Sequence, residues 1–388
     1  MLNNCIKNCI VCGKCSSFPI LTVFNGKFKD NANFQPRDGY GIAIDIGTTT
    51  VVLALLDLSC GKIITRHSFF NPQRRFGPDV ISRIKAANEG YLDELRCLII
   101  ESLLKGFNEL LEFQKIQPNQ IIDISIAANT TMIYLLLGFP CVSLGCAPFK
   151  PSYSLAQHYT FNDIFSSQEF SCQVQIIPWF AAFAGGDIMA GLIHLLSFNK
   201  KRFLLIDLGT NGELALYSDG KLTITSAAAG PVLENGKNTA SGIIHDLAVL
   251  LQDCLIDKTG KLLNDVLGSI TQKDIRELQL AKSAVRSGLE IILETSGFTY
   301  NEIDTVYLAG GIGQAMNIND AVKIGLIPFE LKDKCSAVGN SALGGAVCKL
   351  FFPKTINYEI ENLLSDFTEI NLASHSCFNE YFMEYMEF

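Results

Sequence analysis

From Gly41 onward the chain alternates short apolar runs with turns of small polar residues. Gly41–Ile46 predicts an apolar strand, "GTTT" turns it, Val51–Asp57 predicts a second strand, and "SCGK" leads into a third, Ile63–Ser68. Short apolar runs bounded by such residues are the signature of strands and tight turns. The polar stretch "NPQRRFGPDVISRIKAANEG" then enters a helix through Pro78, since proline suits a first helical turn. Leu92–Glu112 carries apolar residues at helical spacing and predicts a long helix. "IIDISIAANTTMIYLLLG" predicts a strand, a helix cap at Asn129/Thr130 and a short buried helix. "QVQIIPWFAAFAGGDIMAGLIHLL" predicts a strand or turn followed by a helix.

At Phe203 the opening pattern returns: a strand, the turn "GTNG", a strand at Glu213–Tyr217, the turn "SDGK" and a strand at Leu222–Ser226. Asp45, Gly47 and Thr48 correspond to Asp207, Gly209 and Thr210 at one constant spacing, and the second hairpin is slightly shorter. Two β-meanders, each continuing into helices, predict two α/β lobes of one duplicated design. The boundaries expected are 1–38 for a Cys-rich segment and linker, 39–200 for lobe I, 201–330 for lobe II, and 331–388 for a helical return and an apolar, acidic tail.

A chain of 388 residues suits two packed lobes. Its 48% hydrophobic and 18% charged residues describe a globular protein, and a net charge of -8 argues against nucleic acid, which selects for Lys/Arg excess. Acidic charge does not favour an anionic membrane either. No basic segment followed by an apolar run opens the chain, so no export signal is read. The longest uncharged stretch, Ile124–Phe149, contains Asn129, Thr130, Thr131, Pro140 and Pro148 and makes a poor membrane span. The expectation is a soluble, cytoplasmic protein whose 13 cysteines are reduced.

A strand ending in Asp and followed by Gly-Thr brings three chemistries to one point. The carboxylate is a hard ligand for Mg²⁺. Glycine allows close backbone approach and exposes N–H groups to phosphate, and threonine hydroxyls add uncharged donors. A single Gly-Thr hairpin is commonplace; two, each opening a lobe, can face one another across a cleft and clamp a polyphosphate. Asp45 and Asp207 are therefore candidates for holding Mg²⁺ or water, the alternative being a turn-capping Asp. Gly47, Thr48, Thr49, Gly209, Thr210, Asn211 and Gly212 are candidates for cradling phosphates.

Further candidates surround these turns. Glu213 stands where the first copy has Val51, and either orients water or metal or is an exposed strand residue. Asp187 in "GGDIMAGL" is a candidate general base or a helix cap. Gly310 and Gly311 in "VYLAGGIGQAMN", with Gly230 and Glu234 in "AAAGPVLEN", are candidates for the nucleoside end. Arg74, Arg75 and Asp79 contact partner or phosphate, or form a solvated face. The His residues show no ligand spacing, and Cys141 and Cys146 read as buried packing residues.

The order "AIDIGTTT", "LIDLGTNGEL", "LAGGIG" resembles the two phosphate motifs and the adenosine motif of the superfamily of acetate and sugar kinases, heat-shock chaperones and actin. "FNPQRRFGPDVISRI", "AANTTM", "LGCAPFKP", "DLGTNGEL", "AAAGPVLEN" and "VGNSALGGA" resemble a narrower branch, the ATP-dependent reductive activators of corrinoid proteins, from about Gly39 to the C-terminus. The resemblance implies a two-lobed, duplicated ribonuclease H-like fold that binds ATP and Mg²⁺ and helps return an oxidised Co(II) corrinoid protein of a methyltransferase system to Co(I). It also implies a corrinoid partner. An external ferredoxin-like donor and a homodimer are kept open.

Family members of this kind begin with a [2Fe–2S] ferredoxin-like domain, for which there is no room before Gly39. In its place stand Cys5, Cys9, Cys12 and Cys15. Four thiolates could hold a [4Fe–4S] cluster, although the familiar bacterial spacing differs; a Zn²⁺ site and a metal-free tail are the alternatives. Three rivals to corrinoid activation also share the fold: a small-molecule kinase, an activator of another low-potential metalloenzyme, and a nucleotide-switched binding protein. Because "GTNGE" adds an amide and a carboxylate to the second turn, that copy is expected nearer the chemistry and the first mainly to grip.

Overall fold

The computed structural model describes residues 34–156, 159–198, 200–209, 211–230, 240–263 and 270–388. The chain divides into two compact units: Met1–Phe198 with Asn340–Leu364, and Asn199–Gly339 with Ser365–Phe388.

The first unit holds β1 (Tyr40–Ile46), β2 (Thr50–Asp57), β3 (Lys62–Phe70), β4 (Ile121–Ala128), β5 (Tyr159–Thr160) and β6 (Gln173–Ile176) in the order β3-β2-β1-β4-β6-β5. β1, β2 and β3 form the expected antiparallel meander, whereas β4 joins β1, and β6 joins β4, in parallel. β1 is apolar at nearly every position because helices cover both faces of the sheet. Ile42, Ile44 and Ile46 share one core with Leu95, Ile99, Leu103 and Phe107 of the helix Leu92–Gln114. On the other side Gly41 lies against Leu350 of the helix Ser341–Phe351.

That helix packs closely on another, Gly186–Leu196. A Cβ added to Gly345 would fall 2.0 Å from the carbonyl oxygen of Ala190, and one on Gly344 would fall 2.7 Å from the His194 ring. Only glycine permits backbones to approach this closely.

The second unit repeats the plan with β7 (Arg202–Leu208), β8 (Gly212–Ser218), β9 (Lys221–Ala227), β10 (Thr305–Ala309), β11 (Cys335–Gly339) and β12 (Phe367–Ile370), ordered β11-β10-β7-β8-β9-β12. β7, β8 and β9 form the second meander; β10 joins β7 and β11 joins β10 in parallel. Leu204 and Ile206 of β7 share a core with Leu278, Val285, Leu289 and Ile292 of the helix Gln272–Ser296. The α/β fold is thus the two-lobed, duplicated arrangement expected.

Residues 331–388, expected as a helical return and a tail, are divided between the units. The fully buried helix Ser341–Phe351 packs on β1 and β4 of the first unit, while the tail returns to the second unit as β12, parallel to β9. Among the described residues no helix is long and apolar enough to cross a membrane.

Candidate functional site

In the first unit, β1 ends at Asp45 and Ile46, and Gly47–Thr49 turn the chain into β2. Gly47 N–H donates to Thr50 O at 3.1 Å, and a Cβ on Gly47 would fall 2.6 Å from that same oxygen, so only glycine fits. The turn is held from behind. Asn71 Nδ2 donates to Gly47 O at 2.9 Å, Arg83 Nη2 to Thr48 O at 2.6 Å, and Asn71 N to Thr49 O at 2.8 Å. Asn129, the cap of the helix Thr130–Leu137 as expected, also donates to Thr48 Oγ1 at 3.1 Å.

Asp45 is joined by residues distant in sequence. Asp187 lies in the first turn of the helix Gly186–Leu196, where its Oδ1 accepts from the N–H of Ile188 at 2.8 Å. Asn340 donates from Nδ2 to Asp45 Oδ2 at 2.7 Å and accepts at Oδ1 from Leu343 N at 2.7 Å, capping the helix Ser341–Phe351. Both carboxylates lie deep among protein atoms yet remain partly open to solvent. Burial pushes Asp45 up to about 7, against the Asn340 hydrogen bond and with help from the negative charge of Asp187. Burial pushes Asp187 up to about 6, against its hydrogen bond to Ile188. Two such carboxylates resist ionising together, so the pair retains a proton near neutrality. Carboxylate oxygens are the donor type that a hard cation such as Mg²⁺ takes.

In the second unit, Asp207 ends β7 in register with Glu213 of β8 and with Ala309 of β10. Gly310 has φ +76, and a Cβ there would fall 2.8 Å from Asp207 Oδ1. Asp207, Glu213 and the Gly310–Gly311 turn therefore converge. Gly209 N–H donates to Asn211 O at 2.9 Å within the turn, Gly212 opens β8, and Gly230, also at positive φ, follows β9. Cys5, Cys9, Cys12, Cys15, Thr210 and Glu234 lie outside the described residues; among the described ones no cluster of three or more His, Cys, Asp or Glu could hold a metal.

In the polar loop the solvated reading describes the two arginines. Arg74 and Arg75 are exposed, lying over the Phe70 and Phe76 rings, with Arg75 also paired to Glu94. Asp79 caps the helix Val80–Ala86. It is Asn71 and Arg83, both fully buried, that reach the Gly47–Thr49 turn. Neither they nor Asn340 carried a signal beyond sitting in the phrases "FNPQRRFGPDVISRI" and "VGNSALGGA". Cys141 is buried as expected, but Cys146 is exposed, because it sits in an open groove with Pro140, Pro148 and Tyr153.

A duplicated meander-plus-parallel sheet with an Asp–Gly–Thr turn in each unit and a Gly-Gly turn after a parallel strand defines the class: the ATPase fold of sugar kinases, chaperones and actin. Family models narrow it. The "RACo middle region" matches residues 40–199, and the "C-terminal domain of RACo the ASKHA domain" matches 201–242 and 264–388. The chain belongs to the RACo family. It is 31% identical to "Corrinoid activation enzyme RamQ" of Eubacterium limosum, covering 81% of this chain and 65% of that protein. Identity to the "[Co(II) methylated amine-specific corrinoid protein] reductase" of Methanosarcina barkeri is 23%, covering 89% and 76%. The solved "Reductive activator for corrinoid,iron-sulfur protein" superposes with a TM-score of 0.81 at 28% identity, covering 91% of this chain and 66% of that one. The chain thus spans just under two thirds of the length of RamQ and of that solved activator.

Proposed function

We propose that the chain binds and hydrolyses ATP and uses it to return an oxidised Co(II) corrinoid protein to Co(I). The names of its relatives support the client, and the observation that carries the chemistry is the Asp45–Asp187 pair beside the glycine-threonine turn. Asp45 in the first unit and Asp207 in the second would each offer a carboxylate to Mg²⁺, which when bound neutralises phosphate oxygens. Gly47, Thr48 and Thr49, with Gly209, Thr210, Asn211 and Gly212, would take the phosphates; Gly230, Glu234, Gly310 and Gly311 the nucleoside. Asp187, raised toward neutrality, suits the general base, since a base acts best when its pKa lies near the working pH. Glu213 would orient water from its place opposite Asp207. The uphill electron transfer requires nucleotide to bind two conformations with different affinity.

We place the protein in the cytoplasm; the nine cysteines of the described residues are all free, which suits a reducing compartment. We further propose that Cys5, Cys9, Cys12 and Cys15 hold a [4Fe–4S] cluster fed by an external ferredoxin-like donor. The test is anaerobic ATP turnover with a low-potential reductant and a Co(II) corrinoid protein, followed by the rise of the Co(I) absorption band. Wild type should turn over faster with the corrinoid protein present and Asp45→Asn should not. Turnover indifferent to any corrinoid partner would overturn the client assignment. Iron and sulfide absent from anaerobically purified protein would remove the cluster and leave the outside reductant alone.

A further inference from the structure

We propose that Arg83 is a positioning residue for the first phosphate turn, setting the direction of its amides and adding positive charge behind them. This rests on the nucleotide reading above. The carbonyls of Gly47, Thr48 and Thr49 are taken in succession by Asn71, Arg83 and Asn71. In a trans peptide the carbonyl and the following N–H point in opposite directions, and the one cis bond among the described residues is Ala147–Pro148. Fixing the Gly47 and Thr48 carbonyls therefore aims the Thr48 and Thr49 N–H groups to the opposite side. Successive amides aimed one way form an anion-binding concavity.

The props are themselves held. Arg83 sits on a helix begun by a capping box between Asp79 and Ser82, and its Nε donates to Gly77 O at 3.1 Å. Gly77 adopts φ +152, where a Cβ would fall 2.0 Å from Ser82 Oγ, so no other residue fits beside the cap. Arg83 Nη1 and Asn71 Nδ2 both approach Met132 Sδ, at 3.4 and 3.5 Å. Arg83 and Asn71 are each 0% exposed, which freezes their geometry. The Gly47 carbonyl is satisfied by a neutral amide. A guanidinium in the equivalent place behind Thr48 does more: it polarises the Thr48–Thr49 peptide and supplies a charge that a phosphate would meet through that peptide.

The experiment measures binding of ATP, inorganic pyrophosphate and adenosine to wild type, Arg83→Lys and Arg83→Met, with folding followed by Trp179 fluorescence. Losing a charge-assisted hydrogen bond predicts ATP and pyrophosphate about 10- to 100-fold weaker in Arg83→Met. Adenosine, which has no phosphate, should bind all three alike. Arg83→Lys keeps the charge without the fork and should recover most of the loss, standing roughly 3- to 10-fold below wild type. ATP binding unchanged in Arg83→Met, or adenosine falling in parallel with ATP, would overturn the inference. Should Arg83→Met not fold, the Lys variant decides, and ATP affinity equal to wild type overturns it. A wild type that binds no ATP overturns the nucleotide reading itself, a distinct failure.

Discussion

Replacing His194 with Leu should stabilise the first unit, and more so in acid. His194 lies in the last turn of the helix Gly186–Leu196, 0% exposed, and neither ring nitrogen has a hydrogen-bond partner. Its ring meets Phe198 edge-on at 5.3 Å and presses on Gly344 of the crossing helix. A buried polar group left unpaired costs about 1–3 kcal/mol, and leucine of similar volume removes that cost. Burial also pushes the imidazole down from 6.5 to about 4. The folded protein therefore keeps His194 neutral where the unfolded chain protonates it. Stability is full above pH 6.5 and falls as the pH drops from 6.5 towards 4. Each tenfold in proton affinity is about 1.4 kcal/mol, so the loss across this window approaches about 3 kcal/mol.

The assay is urea unfolding of nucleotide-free wild type and His194→Leu between pH 4 and 8. Trp179 is the chain's single tryptophan and packs on Tyr134 at 5.6 Å, so its fluorescence follows the first unit. The raised carboxylates Asp45 and Asp187 slope in the opposite sense, but they are common to both proteins and cancel in the difference. The variant should lead by about 1–3 kcal/mol at pH 7.5, with the lead growing below pH 6. A lead that shrinks in acid, or stays flat, would refute the reasoning.

Asp45→Asn should abolish most ATP turnover. It should also stabilise the nucleotide-free protein at pH 8 by up to about 4 kcal/mol, because a carboxylate raised from 3.8 to about 7 weakens the fold as the pH rises through that window; denaturation at pH 5 and 8 checks it. Asn340→Ala removes the bond that favours ionised Asp45, so the acidic limb of the turnover profile should move to higher pH, and the lost helix cap should cost about 1 kcal/mol in unfolding. Gly345→Ala forces a methyl against Ala190 O and should destabilise by about 3 kcal/mol or more, visible in thermal melts.

The fold was legible wherever local pattern decides structure. Both meanders, the Asn129 cap and the helix beginning at Leu92 stand where apolar spacing and turn residues put them, because those signals are carried by neighbours in the chain. β12 was not legible: "FTEI" is four residues long and half exposed, and becomes a strand only by pairing with β9, far away in sequence. The site divides in the same way. Asp45, Gly47 and Thr48 announce themselves as one phrase. Arg83 and Asn340 do not, since an arginine on a short helix after a polar loop and an asparagine before a helix have ordinary surface or capping roles unless the fold turns them inward. His194, lacking any ligand spacing, was equally silent about its burial.

Comparison of the two turns alone assigned grip to the first and chemistry to the second. The raised carboxylate pair lies with the first turn, because Asp187 and Asn340 are brought to Asp45 by helices that the turn comparison does not include. Those two helices are the ones that cross at Gly345 and Ala190. Asp187 occupies the first turn of one, and Asn340 caps the other while holding Asp45. Ionising Asp45 strengthens its bond to Asn340, and Asn340 is fixed to its helix through Leu343. A change of charge at Asp45 therefore bears on the residue that caps this buried helix. The first turn thus sits beside the cap of a fully buried helix of its own unit.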